Sequence, residues 1–170
     1  MKKRSQCAVS LVELLITLVV FSVIIMGIVN IDDFARTQVM RATKRTVLQN
    51  ELSYAIEHMS KYVQQAAGSV ANKAIVKTDE MTFTVNLVEG VRRYQRVGNE
   101  LRTLIVGQSA TQETMARHIT QNTFTVPGLE NGSQIEIVLT ARYNPAAGVS
   151  LDNPEMTMRS TLYARSASAS

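Results

Sequence analysis

The pattern of hydrophobic and polar positions divides the chain into two parts. From Val9 to Ile31 almost every residue is apolar, and the only charged side chain is Glu13. The uncharged run Leu14–Ile31 has nearly the length of about 20 residues that a helix needs to cross a hydrocarbon core about 30 Å thick. We therefore predict a membrane-spanning helix over residues 9–31, with one carboxylate near its start.

The pattern over residues 32–68 predicts that the helix continues as an amphipathic segment. No proline or glycine interrupts the sequence between Asp32 and Gly68. Apolar residues recur every three or four positions, as on one helix face: Leu48, Leu52, Ala55, Ile56, Met59, Val63 and Ala66. We expect a folded head to pack against this face. We also expect the helix to end at Gly68, because glycine is favoured just past a helix end.

The charged residues between Asp32 and Arg45 allow two interpretations of the first part of this segment. Such a run is commonly a solvated helix surface. It could equally form a polar contact between neighbouring helices in an assembly. The sequence does not favour either interpretation over the other.

After Gly68 the period changes and predicts a β-rich head over residues 69–165. Met81–Val85 alternates strictly between apolar and polar residues. Val91–Val97 and Leu101–Val106 flank Gly98-Asn99, which predicts a hairpin. Other predicted features are strands near 74–76, 123–126, 134–141 and 156–163, a loop over 144–154, and a flexible tail over 166–170. The predicted fold class is α+β, a long N-terminal helix packed against a small antiparallel sheet.

The net charge of +4 does not indicate a nucleic-acid-binding head. Lys2, Lys3 and Arg4 supply three of these charges before the apolar run begins. The remainder of the chain therefore has no strong positive field to attract a polyanion. The single cysteine, Cys7, precedes the apolar run, whereas a lipoprotein signal places its apolar residues before the cysteine.

No motif in the chain predicts catalysis or a cofactor. His58 and His118 lack cysteine or acidic neighbours at metal-ligand spacing. Asp152–Glu155 offers oxygen ligands for calcium, but a polar turn fits its spacing better. Arg92–Arg96 is a basic cluster with one tyrosine, which we interpret as an edge strand protected by charge rather than a DNA contact. We predict a non-enzymatic protein with no catalytic residue, metal or cofactor.

The N-terminus admits three interpretations as a targeting segment. A cleaved secretory signal would need a shorter apolar region followed by a small-residue cleavage site, and Asn30–Asp33 provides none. A simple signal anchor fits the hydropathy but leaves Glu13 unexplained. A charged residue inside a membrane segment is a functional hypothesis by default and requires a partner.

The third interpretation comes from a resemblance. Lys2, Lys3 and Arg4, then Ala8-Val9, then Glu13 and the apolar helix resemble the class III signal of type IV prepilins and type II secretion pseudopilins. The cut would lie between Ala8 and Val9, which makes Glu13 the fifth mature residue, as in that family. Alanine here replaces the family's usual glycine before the cut, and valine its usual phenylalanine after it.

The resemblance implies that a prepilin peptidase removes residues 1–8 and that Val9 becomes N-methylated. It also implies that Glu13 forms an assembly salt bridge with the Val9 ammonium of a neighbouring subunit. The leader charges would keep the N-terminus cytoplasmic, so that the head lies outside the inner membrane. The implied partners are the membrane, the prepilin peptidase, other pilin or pseudopilin subunits and an inner-membrane assembly platform.

The order of strands in the head loosely resembles J-type minor pseudopilins and W-type minor pilins. The expected function is therefore that of a structural minor subunit of a type IV pilus or type II secretion pseudopilus. The alternative is a competence or adhesion minor pilin whose head binds DNA or a surface. The charge distribution argues against nucleic acid as a partner.

Overall fold

The computed structural model describes residues 11–68, 73–107, 112–127 and 133–167. Over these residues the chain forms one long helix, α1 (Leu11–Gln64), followed by strands. The predicted leader charges, the cleavage site Ala8–Val9 and the methylation site Val9 lie outside the described residues.

The strands are short and mostly antiparallel. Their bounds are β1 Ala67–Gly68, β2 Ile75–Asp79, β3 Thr82–Leu87, β4 Gly90–Val97, β5 Glu100–Ile105, β6 Gln112–Ala116, β7 Ile119–Thr125, β8 Gln134–Arg142, β9 Glu155–Tyr163 and β10 Ser166–Ala167. One sheet has the order β2-β3-β4-β5-β6 and a second has the order β7-β8-β9. A short parallel pair joins β1 to β10. This is the α+β fold that the sequence predicts.

The chain divides into two compact units, Met1–Met40 and Arg41–Ser170. In the first unit, the described residues belong to the N-terminal part of α1, and their apolar side chains are exposed. Asp32 and Arg36 form an exposed ion pair one helical turn apart, with 2.8 Å between Oδ2 and Nε. The second unit contains the hydrophobic core.

The core is built around one face of α1. Leu48, Leu52, Ala55, Met59 and Val63 have no exposed surface, and they pack with residues from both larger sheets. This spacing of three and four residues is the apolar face that the sequence predicts, because α-helical residues three and four apart share a face. The predicted face also includes Ala66, which is fully buried beyond the helix end, and Ile56, which is partly buried at the rim.

Three aromatic rings join the two larger sheets inside the core. Phe83 of β3 stacks on Tyr94 of β4 with 4.9 Å between ring centroids. Phe83 also meets Phe124 of β7 edge to face, with 4.7 Å between centroids. In an edge-to-face pair, the positive edge of one ring meets the negative face of the other. In an offset stack, the displacement keeps the two negative faces from lying directly over each other. The aromatic contacts therefore connect the five-stranded sheet with the three-stranded one.

Several predicted strands are confirmed with their orientation. β4 and β5 form the expected hairpin, in which Val97 pairs with Glu100 and Gly98 adopts a φ of +61°. The alternation in β8 buries Ile135, Ile137 and Leu139. The even-numbered residues of β9 face inward, also as predicted.

The predicted helix end is wrong by about one turn. The helix ends at Gln64, and Gly68 belongs to β1, which pairs with Ser166–Ala167. Part of the tail predicted to be flexible is therefore hydrogen-bonded, and residues 168–170 lie outside the described residues. Gly68 has a different role from helix capping, since a Cβ there would overlap the backbone of Ala74. Glycine permits this close approach of two backbone segments.

Two other predictions are corrected by the sheet topology. β4 was expected to be an edge strand, but it lies at the centre of its sheet between β3 and β5. β6 was not predicted, because Gln112–Thr114 is polar and the pairing with β5 determines its conformation. β7 begins at Ile119, whereas the predicted strand begins at Thr123.

Replacing Gly68 by alanine should destabilise the protein, because the added Cβ would displace the Ala74 backbone. We expect the free energy of unfolding to fall by about 1–3 kcal/mol, the usual range for overpacking. Gly148→Ala is the matched control, since its Cβ meets no atom within 4 Å. The control should change stability by less than about 0.5 kcal/mol. Urea unfolding of the full chain in detergent micelles measures both, and equal stability of the two variants would contradict this role of Gly68.

Candidate assembly site and the surface of the head

Glu13 lies in the first turn of α1 and is exposed. Two other polar side chains of the apolar segment are satisfied within the helix. The Thr17 hydroxyl donates to the Leu14 carbonyl at 2.9 Å, and the Ser22 hydroxyl donates to the Leu18 carbonyl at 2.7 Å. By contrast, the Glu13 carboxylate has no hydrogen bond or ion pair with any residue that the structure describes.

The surface around Glu13 is apolar and unburied. Exposed fractions of the large apolar side chains from Leu11 to Ile31 range from 45% at Ile25 to 76% at Leu11. The helix is long and apolar enough to cross a membrane. A continuous apolar surface of this kind requires lipid or other apolar helices around it. In either environment an isolated carboxylate is costly unless a partner neutralises it.

A family model of the prokaryotic N-terminal methylation motif matches residues 3–29. This match supports a class III prepilin signal and a likeness to type IV pilins. The motif implies processing by prepilin peptidase and assembly with other pilin subunits. It also indicates a membrane-anchored structural subunit rather than an enzyme. No match was found among curated proteins or among solved structures.

In the pilin-like head, His58 occupies a half-buried position among tyrosines. Its Nδ1 lies 3.3 Å from the hydroxyl oxygen of Tyr94, and its ring centroid is 4.8 Å from that of Tyr62. Its Nε2 is 4.0 Å from a carboxylate oxygen of Glu113. Burial and then the Arg92 guanidinium lower the pKa of His58, and Glu113 opposes them. The neutral imidazole is therefore part of the contact between α1 and β4.

His118 also makes structural contacts. Its Nδ1 is 2.9 Å from Oε2 of Glu51 on α1, and its ring stacks on Tyr143 with 5.7 Å between centroids. The Arg117 backbone amide donates to the same carboxylate at 3.2 Å. Both histidines thus act in packing and hydrogen bonding, as the sequence predicts. Among the described residues, no three His, Cys, Asp or Glu side chains lie close enough together to hold a metal ion.

The arginines of β4 do not form one basic patch. The Arg92 guanidinium carbon lies 3.8 Å from the Tyr62 ring centroid, a cation–π contact with α1. Arg96 donates from Nη1 to the Thr120 carbonyl at 2.8 Å. Arg93 alternates with them and belongs to the opposite face of the strand. Arg92 and Arg96 therefore stabilise packing on one face of this central strand, and Arg93 lies on the other face.

The loop between β8 and β9 is held by its own polar groups. The Asn153 side-chain amide donates to the carbonyls of Asn144, Ala147 and Gly148, and its carbonyl oxygen accepts from the Asn144 backbone amide. Asn153 is buried, so these bonds satisfy an amide that would otherwise be costly. The polar turn predicted here has a defined internal structure.

Arginines bind the carboxylate of Asp152 in this loop and that of Glu155 at the start of β9. Asp152 accepts from Arg41 Nε at 2.8 Å, and this hydrogen bond lowers the pKa of Asp152. Lys44 donates to the Asp152 carbonyl at 2.7 Å. Glu155 is paired with Arg142 at 2.6 Å. The carboxylates of Asp152 and Glu155, the candidate calcium ligands, are therefore used within the fold. Asp152 attaches the loop to α1, and Glu155 joins the two ends of the loop through Arg142.

Acidification should destabilise the head through His58. The lowered pKa means that the unfolded chain binds a proton below pH of about 6.5 more readily than the folded chain. The stability that neutral His58 contributes is therefore present above about pH 6.5 and is lost as the pH falls below that value. We expect the drop in free energy of unfolding between about pH 7.5 and about pH 5 to be smaller in His58→Gln than in the unchanged protein. Urea unfolding in detergent micelles measures the difference, and an identical pH dependence in both proteins would contradict it.

Proposed function

We propose that this protein is a non-enzymatic minor pilin or pseudopilin that enters a type IV pilus or a type II secretion pseudopilus through its N-terminal helix. The supporting observation is the prepilin methylation motif at residues 3–29 together with Glu13, a carboxylate without a described partner on a bare apolar helix. The assignment to the minor subunits rests on the loose resemblance of the strand order in the head to J-type minor pseudopilins and W-type minor pilins.

The proposed processing begins at the leader. Prepilin peptidase cuts between Ala8 and Val9 and removes residues 1–8, and the new α-amine of Val9 is N-methylated. Residues 9–31 then form the membrane and assembly helix, residues 32–68 the extracytoplasmic amphipathic segment, residues 69–165 the head and residues 166–170 the tail.

Charge supports the proposed orientation. Lys2, Lys3 and Arg4 precede the apolar run, and positive residues flanking a membrane segment remain on the cytoplasmic side. The head then lies outside the inner membrane, while the leader faces the prepilin peptidase and the assembly platform. After assembly the subunit is part of the filament.

Glu13 supplies the proposed assembly contact. In the membrane, the Glu13 carboxylate and the Val9 ammonium of a neighbouring subunit are each costly alone. When the helices dock in the correct register, the two charges pair and neutralise each other. Removing one partner of such a pair leaves the other uncompensated, which costs about 3–5 kcal/mol. The pair therefore selects one register of docking over the alternatives.

Glu13→Leu should insert and be cleaved normally but should assemble poorly, because the neighbour's Val9 ammonium loses its partner. A loss of about 3–5 kcal/mol predicts a fall of at least about 100-fold in the amount incorporated into filaments at equilibrium. Immunoblots of sheared filaments and of membranes give the ratio of assembled to membrane-bound subunit.

The matched control is Thr17→Val, one turn further along the same helix. It removes a hydroxyl that is bonded only within its own helix, to Leu14. We expect its incorporation to equal that of the unchanged protein. Normal incorporation of Glu13→Leu would contradict the proposed role of the carboxylate.

A further inference from the structure

The edge of the three-stranded sheet formed by β9 differs from the other sheet edges of the head. β9 has nine residues and pairs with β8 without a register shift. The edge strands β2, β6 and β7 each have a register irregularity in their pairing. Bulges and short lengths protect edges against further strand pairing, and β9 has neither protection.

The hydrogen-bonding direction of β9 follows from the bonds that flank it. The Ala164 amide donates to the Ser133 carbonyl, and the Pro154 carbonyl accepts from the Tyr143 amide. Even-numbered residues of β9 therefore direct their backbone N–H and C=O groups towards β8, and odd-numbered residues of β9 direct theirs towards the open edge. The N–H groups of Thr157, Arg159, Thr161 and Tyr163 have no backbone partner among the described residues.

A groove accompanies this open edge. It has a volume of about 960 Å³ and lies between α1 and the inward face of β9. Ile56, Met158 and Leu162 make it partly apolar, and hydroxyls such as Ser160 add hydrogen-bonding groups. A strand added to β9 would direct its alternate side chains into this groove, because successive residues of a strand point to opposite faces.

Charge defines one end of the groove. Lys61 and Arg165 both line it, together with one acidic residue, Glu57, so the lining carries one net positive charge. Arg165 follows the C-terminal end of β9. Neither cation forms an ion pair with a described residue. An acidic residue on the incoming strand would complement this end.

The chain itself is a poor source of that strand. The undescribed internal segments 69–72, 108–111 and 128–132 have only four or five residues and are tethered at both ends. The β9 strand of a second copy would bring no free carboxylate, since Glu155 is already paired with Arg142. Arg159 of that strand is likewise paired, with 3.4 Å between its Nε and Oε1 of Glu136, so it brings no free charge to the edge.

We propose that β9 and the groove receive an extended strand from a different pilin subunit, one with apolar residues at alternate positions and an acidic residue near Lys61 and Arg165. This inference rests on the proposed function, which supplies the neighbouring subunits. The strand would extend the β7-β8-β9 sheet by main-chain hydrogen bonds, while the groove would select its side chains.

Thr161→Pro tests the main-chain bonds. It removes an N–H that points to the open edge and leaves the bonds to β8 in place, a position at which strands tolerate proline. Thr161→Ala keeps the N–H, and Lys77→Pro makes the same change on the bulged edge strand β2. We expect a fall of at least about tenfold in filament incorporation for Thr161→Pro, the equivalent of about 1.4 kcal/mol. Both controls should assemble normally, and equal incorporation of all three variants would overturn the proposal.

Amide hydrogen exchange of the unchanged protein tests the same contact without a variant. The probes are the purified full chain in detergent micelles and filaments sheared from the producing cells. In filaments, the amides of Thr157, Arg159, Thr161 and Tyr163 should exchange slower by on the order of 100-fold than in micelles. Rapid exchange in filaments would overturn the proposal and leave the proposed function intact.

Two other outcomes are distinguishable. Protection that appears in micelles of the purified chain as its concentration rises would identify a second copy as the occupant and would overturn the assignment to a different subunit. A processed chain that never enters filaments would contradict the proposed function, and the strand proposal would fail with it.

Discussion

A carboxylate on a bare apolar helix is the constraint on which the account of this protein depends. Thr17 and Ser22 bond to carbonyls of their own helix, whereas Glu13 has no partner among the described residues. Such a group is unfavourable in lipid and becomes favourable when an opposite charge meets it. In the proposed assembly, the apolar helix attracts its neighbours without fixing their position, and the charge of Glu13 fixes the register. This division explains why the most specific signal of the chain is confined to its N-terminal residues.

The head follows a different physical principle, since it is a conventional hydrophobic core assembled on a helical face. Leu48, Leu52 and Met59 are fully buried beneath strands of both larger sheets. Polar contacts then fix the periphery, with Arg92 on Tyr62 and Asp152 on Arg41. These contacts are used within the fold, whereas the outer edge of β9 has no strand partner among the described residues. We propose that the helix carries the assembly contact and that the head selects the neighbour.

Local periodicity predicted much of this fold from the sequence. The face containing Leu52 and Met59 has a helical period, and the hairpin around Gly98 has a turn residue that accepts a positive φ. Long-range pairing was not predictable in the same way. Gly68 resembles a helix cap in sequence, but it lies against the Ala74 backbone and belongs to β1. The pairing of β1 with β10 joins residues about 100 positions apart, which no local pattern indicates. For the same reason, the arginines of β4 resembled a protected edge, whereas the topology places that strand at the centre of its sheet.

The candidate site shows the same contrast. Glu13 was identified from the sequence because a lone acid in an apolar run is rare, and the structure adds that no described residue of the chain satisfies it. The open edge of β9 could not be found from the sequence, since it depends on which strands lack a neighbour. The central claim is tested most directly by the mass of the intact mature protein purified from membranes. The account predicts a chain that begins at Val9 and carries one additional methyl group on its α-amine. A chain that retains Met1, or one cut beyond Ile31, would contradict it.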